Sequence, residues 1–261
     1  MDLNLAQKKV FITGSTQGIG YAVAEKLLSE GASVVINGRT QLSVEKAIER
    51  LRMTIPDADL SGIAADFSKS EEAASLLEKL QEVDVLINNV GLFGLGEFTD
   101  LSDDEWMRYF EVNVLAGVRL SRQLLPAMLK RGWGRIIFIG TESAVDVPAN
   151  MIHYGATKAA ALAVSNGLAK LTRGTAVTVN TVLGGPTYSD GVAETVEKIA
   201  AAQSTSVEEL KEALVRHTSL IQRFLDPSEV AHLVTYLASP LASATNGAAL
   251  RADGGVLPTI L

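Results

Sequence analysis

Short apolar, β-branched runs recur along the chain, and between them apolar positions return every three or four residues. The runs are Lys9 to Thr13, Ser33 to Asn37, a weaker one at Leu60 to Ala65, Val83 to Asn88, Arg135 to Ile139, Ala176 to Asn180 and Gly247 to Leu250. The periodicity predicts helices over Ile19 to Ser29, Gln41 to Met53, Ser70 to Gln81, Ser102 to Lys130 and about Met151 to Leu171, and a further one opened by Pro227-Ser228-Glu229-Val230. Ser102 is the expected N-cap of the long central helix, with Glu105 three residues on to complete a capping box. Near-continuous apolar strands alternating with helices signify a parallel sheet covered on both faces. The expected fold is α/β: a doubly wound, seven-stranded parallel sheet forming a single domain over residues 1–261. Seven scattered prolines mark no linker, and no repeat or low-complexity tract interrupts the alternation.

Composition narrows the chemistry. Apolar residues make up 47% and charged residues 20% of 261 residues, ordinary for a compact protein with a large core. There is no cysteine, which excludes disulfides, thiolate metal sites and cysteine nucleophiles, and fits a reducing compartment. A net charge of -7 without a run of Lys and Arg gives no footprint for nucleic acid. The stretch from Met1 to Lys9 is polar, and no apolar run approaches the ~20 residues of a membrane span. The expected setting is the cytoplasm, with no membrane partner.

Two stretches carry candidate chemistry. Thr13-Gly14-Ser15-Thr16-Gln17-Gly18-Ile19-Gly20 joins the first strand to the first helix, where glycines permit a tight turn and close backbone approach to a pyrophosphate facing the helix N-terminus. In Tyr154-Gly155-Ala156-Thr157-Lys158, the tyrosine and lysine are four apart and share one helix face. A lysine cation beside a phenol favours the phenolate, so the pair is expected to lower the tyrosine from its usual pKa of ~10 toward neutrality and to act as an acid-base pair.

Thr13-Gly14-x-x-x-Gly18-x-Gly20, Asn88-Asn89-Val90-Gly91, Asn113, Tyr154-x-x-x-Lys158 and Asp253-Gly254-Gly255 together resemble the short-chain dehydrogenase/reductase family, in family order from Lys9 to about Val256. The resemblance implies an NAD(P)-dependent oxidoreductase interconverting a carbonyl and a secondary alcohol. Tyr154 would exchange a proton with the substrate oxygen, Lys158 would also bind the nicotinamide ribose, and Asn113 would hold a proton-relay water. Gly14 to Gly20, Asp66, Phe67, and Asn89, Val90 and Gly91 would line the cofactor, with Asp66 accepting from the adenine amino group. A homotetramer is the family's usual assembly.

The chain departs from the family pattern in three places. Thr141 stands where a serine usually precedes the tyrosine by thirteen residues, with Ser143 as the alternative hydroxyl. Val90 replaces an alanine. Gly184-Gly185-Pro186-Thr187 replaces the usual proline-glycine, leaving Gly185 and Thr187 as the expected nicotinamide contacts, with Ser189 next in line. At the end of the second strand a glycine, Gly38, takes the position of an acidic ribose ligand and Arg39 follows it. A guanidinium matches a 2′-phosphate, so NADP(H) is favoured over NAD(H), although Gln17 holds a place where a second basic marker usually stands.

Residues 186–222 are expected to form a substrate lid from two amphipathic pieces, one with Val192, Val196 and Ile199 on a face, the other with Val207, Leu210 and Leu214. With Leu92, Phe93, Val145, Val147, Met151 and Tyr188 near the motifs, the expected substrate is an apolar ketone or alcohol. His153, His217, His232, Trp106 and Trp133 are read as packing or surface residues, and no metal site is expected. Two alternatives stand beside the oxidoreductase. One is a 3-oxoacyl-carrier-protein reductase docking its carrier on Arg119, Arg122, Lys130 and Arg131. The other is a nucleotide-binding regulator without turnover.

Overall fold

In the computed structural model, seven parallel strands lie in the order β3-β2-β1-β4-β5-β6-β7. Residues 2–80, 82–203, 205–215 and 218–260 are described, without the side chains of Thr195, Lys198, Ile199, Ala202 and Gln203. The strands are β1 (Lys9–Ile12), β2 (Ser33–Gly38), β3 (Leu60–Ala64), β4 (Val85–Asn88), β5 (Trp133–Thr141), β6 (Ala176–Gly184) and β7 (Ala249–Ala252). The helices are α1 (Gly18–Ser29), α2 (Gln41–Thr54), α3 (Ser70–Lys79), α4 (Asp103–Phe110), α5 (Ala116–Arg131), α6 (Ile152–Lys170), α7 (Asp190–Gln203), α8 (Val207–Leu214) and α9 (Pro227–Ala238). Gln81 and His217 fall outside the described residues.

Each sheet face buries its own core. Val10, Ile12, Val34 and Ile36 face Leu27, Leu51, Val234 and Leu237 on one side, while Phe11, Leu86, Ile136 and Phe138 face Leu120, Leu124 and Met128 on the other. Successive β1 residues therefore point into different layers, as a strand period of two requires.

Three expectations are corrected. The central helix is not continuous: α4 and α5 are joined by a π-helical segment, Glu111–Leu115, that contains Asn113. Such wide turns expose backbone polar groups inside a helix, often at functional sites. The capping box is half formed as well: the Ser102 hydroxyl accepts from Glu105 N–H, while the Glu105 carboxylate pairs with Arg108. The last strand is displaced two residues from its expected place, because Gly247 N–H bonds Val179 and turns the chain before pairing begins at Thr181↔Ala249.

The strand order reverses between β1 and β4, and a doubly wound sheet opens its ligand crevice there. β5 outruns β4: Asn88 pairs with Phe138 as the last rung, whereas β5 continues to Thr141 opposite Gly184. The three extra residues stand over the crevice and leave the Ile139 carbonyl without a β4 partner.

Candidate active site

β1 ends in the glycine loop. Gly14 and Gly18 have φ of +58° and +59°, where a side chain is strained. At Gly20 a Cβ would lie 2.5 Å from both Asn89 Nδ2 and Gly14 O, so the loop and the end of β4 interlock only around glycine. Asn89 supports that contact by donating to Thr13 O at 3.0 Å and Gly14 O at 2.7 Å, and the Thr13 hydroxyl accepts from the amides of Asn89 and Val90. Ser15 is turned inward: its amide donates to Asn37 O and its hydroxyl to Ile12 O. Its polar groups shape the loop. Thr16 turns its methyl toward Gly38, Gln17 is exposed as it caps α1, and Ile19 lines the cleft.

One ligand-like contact is already made. The Asp190 carboxylate, at the start of α7, accepts from Gly18 N–H at 2.6 Å, and Ser189 Cβ sits 3.2 Å from where a Gly18 Cβ would be. A carboxylate thus stands at an anion-binding backbone turn, which shows that the loop can bind negative charge.

At the end of β2, a Cβ at Gly38 would meet Thr16 Cγ2 at 2.5 Å and Ser43 Oγ at 2.8 Å. An acidic side chain has no room there. Arg39 is exposed beside it, and its charge reaches Asp66. Burial opposes ionisation of Asp66, but hydrogen bonds from Ser68, with help from Lys69 and Arg39, hold its carboxyl below the usual range. Phe67 points into the core below.

The chemical residues converge on a cleft of about 530 Å³ lined by Asn89, Gly91, Thr141, Glu142, Ser143, Tyr154, Lys158, Gly185 and Thr187 among others. Tyr154 and Lys158 share a face of α6, with Nζ 6.0 Å from the phenol ring centroid. Lys158 Nζ donates to the Ile139 carbonyl at 3.0 Å, the group that the longer β5 leaves free of β4. A Cβ at Gly91 would come within 3.1 Å of Nζ and 3.3 Å of Asn113 Oδ1, so glycine keeps the lysine channel open. The Asn113 side chain is fully committed: Oδ1 accepts from Leu92 N–H at 2.7 Å, and Nδ2 donates to Leu92 O and Thr157 Oγ1, both at 3.0 Å. It clamps the π segment to the β4 loop and to α6.

The electrostatics overturn one expectation. The lysine does not lower the phenol in the protein alone. Burial raises the Tyr154 pKa, and the negative charge of Glu142 raises it further against a hydrogen bond with Thr141. Burial also lowers Lys158 to about 8. Glu142, only 6% exposed, is the site residue that sequence reading missed. Its two oxygens accept from the Thr141 hydroxyl at 2.5 Å and the Ser143 hydroxyl at 3.1 Å. Its position between the two candidate hydroxyls was the available signal.

Thr187 is anchored by a bridge to Leu225, with its hydroxyl donating to Gly185 O at 2.9 Å. Gly185 itself lies under the Asp253 turn, where a Cβ would be 2.6 Å from Asp253 O. Above the cleft, α7 and α8 pack on each other through Val196, Ala200 and Leu210, supported by Tyr188, Val192 and Val207, while Leu214 lines the cleft. The Ile199 side chain lies outside the described residues. His153 is buried edge-on against Tyr109 at 4.4 Å, with Trp106 beyond. Trp133 carries Lys8 and Arg135 over its ring. Among the described residues no helix is long and apolar enough to cross a membrane, and no group of three His, Asp or Glu is placed to hold a metal.

The pattern of the short chain dehydrogenases matches residues 8–200. The chain is 45% identical to the uncharacterized oxidoreductase YvaG of Bacillus subtilis over the full length of both. It is 29% identical to the 3-oxoacyl-[acyl-carrier-protein] reductase of Aquifex aeolicus over 98% of this chain and all of that one. Its fold superposes with a TM-score of 0.94, at 29% identity and over both full chains, on L-sorbose reductase from Gluconobacter frateurii complexed with NADPH and L-sorbose. With the glycine loop at the strand-order switch and the Tyr154–Lys158 pair above it, the chain belongs to the short-chain dehydrogenase/reductase family of Rossmann-fold, NAD(P)-dependent oxidoreductases that act on carbonyl and alcohol groups.

Proposed function

We propose that the protein is an NADPH-dependent carbonyl reductase whose proton donor is Tyr154. The observation that carries this reading is the placing of Tyr154 and Lys158 on one face of α6, both lining the cleft above the glycine loop. A phenol is protonated at neutral pH and can give its proton to a carbonyl oxygen as hydride arrives. The cofactor supplies the hydride. The residues present fit it: the turn at Gly18 accepts an anion, Lys158 and Asn113 border Gly91, and Gly185 and Thr187 close the opposite wall. Lys158 orients the ribose and provides a cation at the site, and Asn113 keeps the π segment placed so that its backbone can hold a relay water. Asp66 is the adenine contact, with the Phe67 backbone beside it. The preference for NADPH rests on Arg39 and on the absence of space for an acidic group at position 38.

Apolar walls at Leu92, Phe93, Met151 and Leu214 favour a ketone with an apolar body. Docking of an acidic acyl carrier is disfavoured, because Arg119 is paired with Glu111, and Arg131 with Glu82 and Asp84. Assembly as a homotetramer in the cytoplasm completes the reading. A shallow groove between α6 and β7, lined by Ala159, Ala163, Asn166 and Ala249, is the surface that supports it, and light scattering on the purified protein tests it.

Tyr154→Phe is the direct test of the reaction. Consumption of NADPH with a panel of ketones should fall about 10²-fold or more in kcat, with NADPH binding retained. A Tyr154→Phe protein as active as the parent refutes the reading, and a parent that binds NADPH but reduces no ketone favours the regulator.

A further inference from the structure

Most polar side chains that line the cleft are committed within the fold. Asn89 donates to the Thr13 and Gly14 carbonyls, Thr187 to the Gly185 carbonyl and Lys158 to the Ile139 carbonyl. The hydroxyls of Thr141 and Ser143 donate to Glu142, and Ser189 sits beside Gly18 on the cofactor loop. Asn150 differs. It is exposed where it lines the cleft, and its carboxamide makes no hydrogen bond with any of the described residues. Its backbone is nonetheless fixed. It stands in the 3₁₀ turn Ala149–Met151 that leads into α6, and its carbonyl accepts from Gly96 N–H at 2.9 Å. That bond fastens the turn to the loop that brings Leu92, Phe93 and Leu95 to the cleft. A free amide on a fixed backbone is thus set among apolar walls, four residues before Tyr154.

We propose that Asn150 is a specificity-determining residue that selects ketones carrying a neutral amide or alcohol on an otherwise apolar body, about five bonds from the carbonyl carbon. The turn and the start of α6 separate Asn150 from Tyr154 by about 6 Å along the helix axis, the reach of about five bonds of extended chain. When Tyr154 holds the carbonyl, a polar group at that distance meets Asn150. A carboxamide both donates and accepts, so an amide or an alcohol satisfies it. A wholly apolar ketone covers the same carboxamide without giving it a partner, and that loss counts against the apolar substrate. The proposal rests on the carbonyl-reductase reading of the site and adds its substrate class.

Two ketones of one shape separate the outcomes: 5-oxohexanamide, and 6-methylheptan-2-one, in which a branched hydrocarbon end replaces the amide. Each is offered with NADPH to the parent and to Asn150→Leu, with thermal unfolding to confirm that the variant is folded. The parent should prefer the amide. Asn150→Leu should lower the amide-to-hydrocarbon ratio of kcat/KM about tenfold or more, the size of a hydrogen bond left unmade. The loss should fall on KM for the amide with kcat retained, because the contact is the same before and during hydride transfer. An unmoved ratio in Asn150→Leu, a parent that prefers the hydrocarbon ketone, or an equal fall in kcat for both ketones overturns the proposal. Titration of the two ketones into the NADPH complexes of Tyr154→Phe and of Tyr154→Phe combined with Asn150→Leu reads the same preference without turnover. If no ketone is reduced at all, the carbonyl-reductase reading fails, and the titration still decides the role of Asn150.

Discussion

Lys158 and Tyr154 were legible as a pair from their spacing, but their energetics were not, because burial acts on both and the charge of Glu142, just past β5, acts on Tyr154. Lys158 titrates near 8 in the folded protein against an ordinary 10.5. Between those values the unfolded chain binds the proton more readily than the folded one, so stability rises with pH from about 8 toward 10. Above about 10 the raised Tyr154 acts in the opposite sense, because the folded protein then holds a proton that the unfolded chain releases. Lys158→Met should flatten the rise between pH 8 and 10 and raise the melting temperature at pH 7, as thermal unfolding of the protein without nucleotide will show. An unaltered profile would place the buried charge elsewhere. Arg39 is exposed just past the end of β2. Arg39→Ala should raise KM for NADPH about tenfold, the scale of one charge-assisted contact, and leave KM for NADH nearly unchanged; equal effects on both would remove Arg39 from cofactor choice.

At the scale of elements, strands and helices followed from period and composition, since apolar runs such as Val10 to Ile12 and Leu86 to Ile87 have nowhere to go but a two-faced core. The π segment at Asn113 did not follow. It depends on Leu92 and Thr157, far away in sequence, gripping one amide side chain. The segment of α7 and α8 shows the same limit. Its apolar faces predicted two helices, whereas the contact of Asp190 with Gly18 joins residues 172 apart. An anionic cofactor group on the glycine loop must compete with that carboxylate. Asp190→Ala should therefore tighten NADPH binding, lowering Kd about threefold to tenfold, as fluorescence titration would register. Weaker binding in Asp190→Ala would mean that the contact assists the cofactor instead.

Over the whole molecule, the C-terminal turn ties the segment that follows α8 to the sheet. Asp253 accepts from Gly255 and Leu257 amides and from Arg251, while the Gly254 carbonyl accepts from the Leu220 and Ile221 amides. Gly185 runs beneath that turn with no space for a methyl group. Gly185→Ala should cost about 1–3 kcal/mol by overpacking, a fall of several degrees in melting temperature for a chain of this size, and it should impair turnover along with stability. A variant with unchanged melting temperature would show that the turn can yield.

The order of strands and helices, the glycine loop and the Tyr–Lys spacing were determined by the sequence itself, because each rests on local periodicity or on neighbours within a few residues. Tertiary structure decided the rest. β5 outruns β4 and so lifts Thr141, Glu142 and Ser143 over the crevice, where burial raises the Tyr154 phenol and the Glu142 charge raises it further. Burial and long-range charge are properties of the packed chain, and no window of sequence contains them.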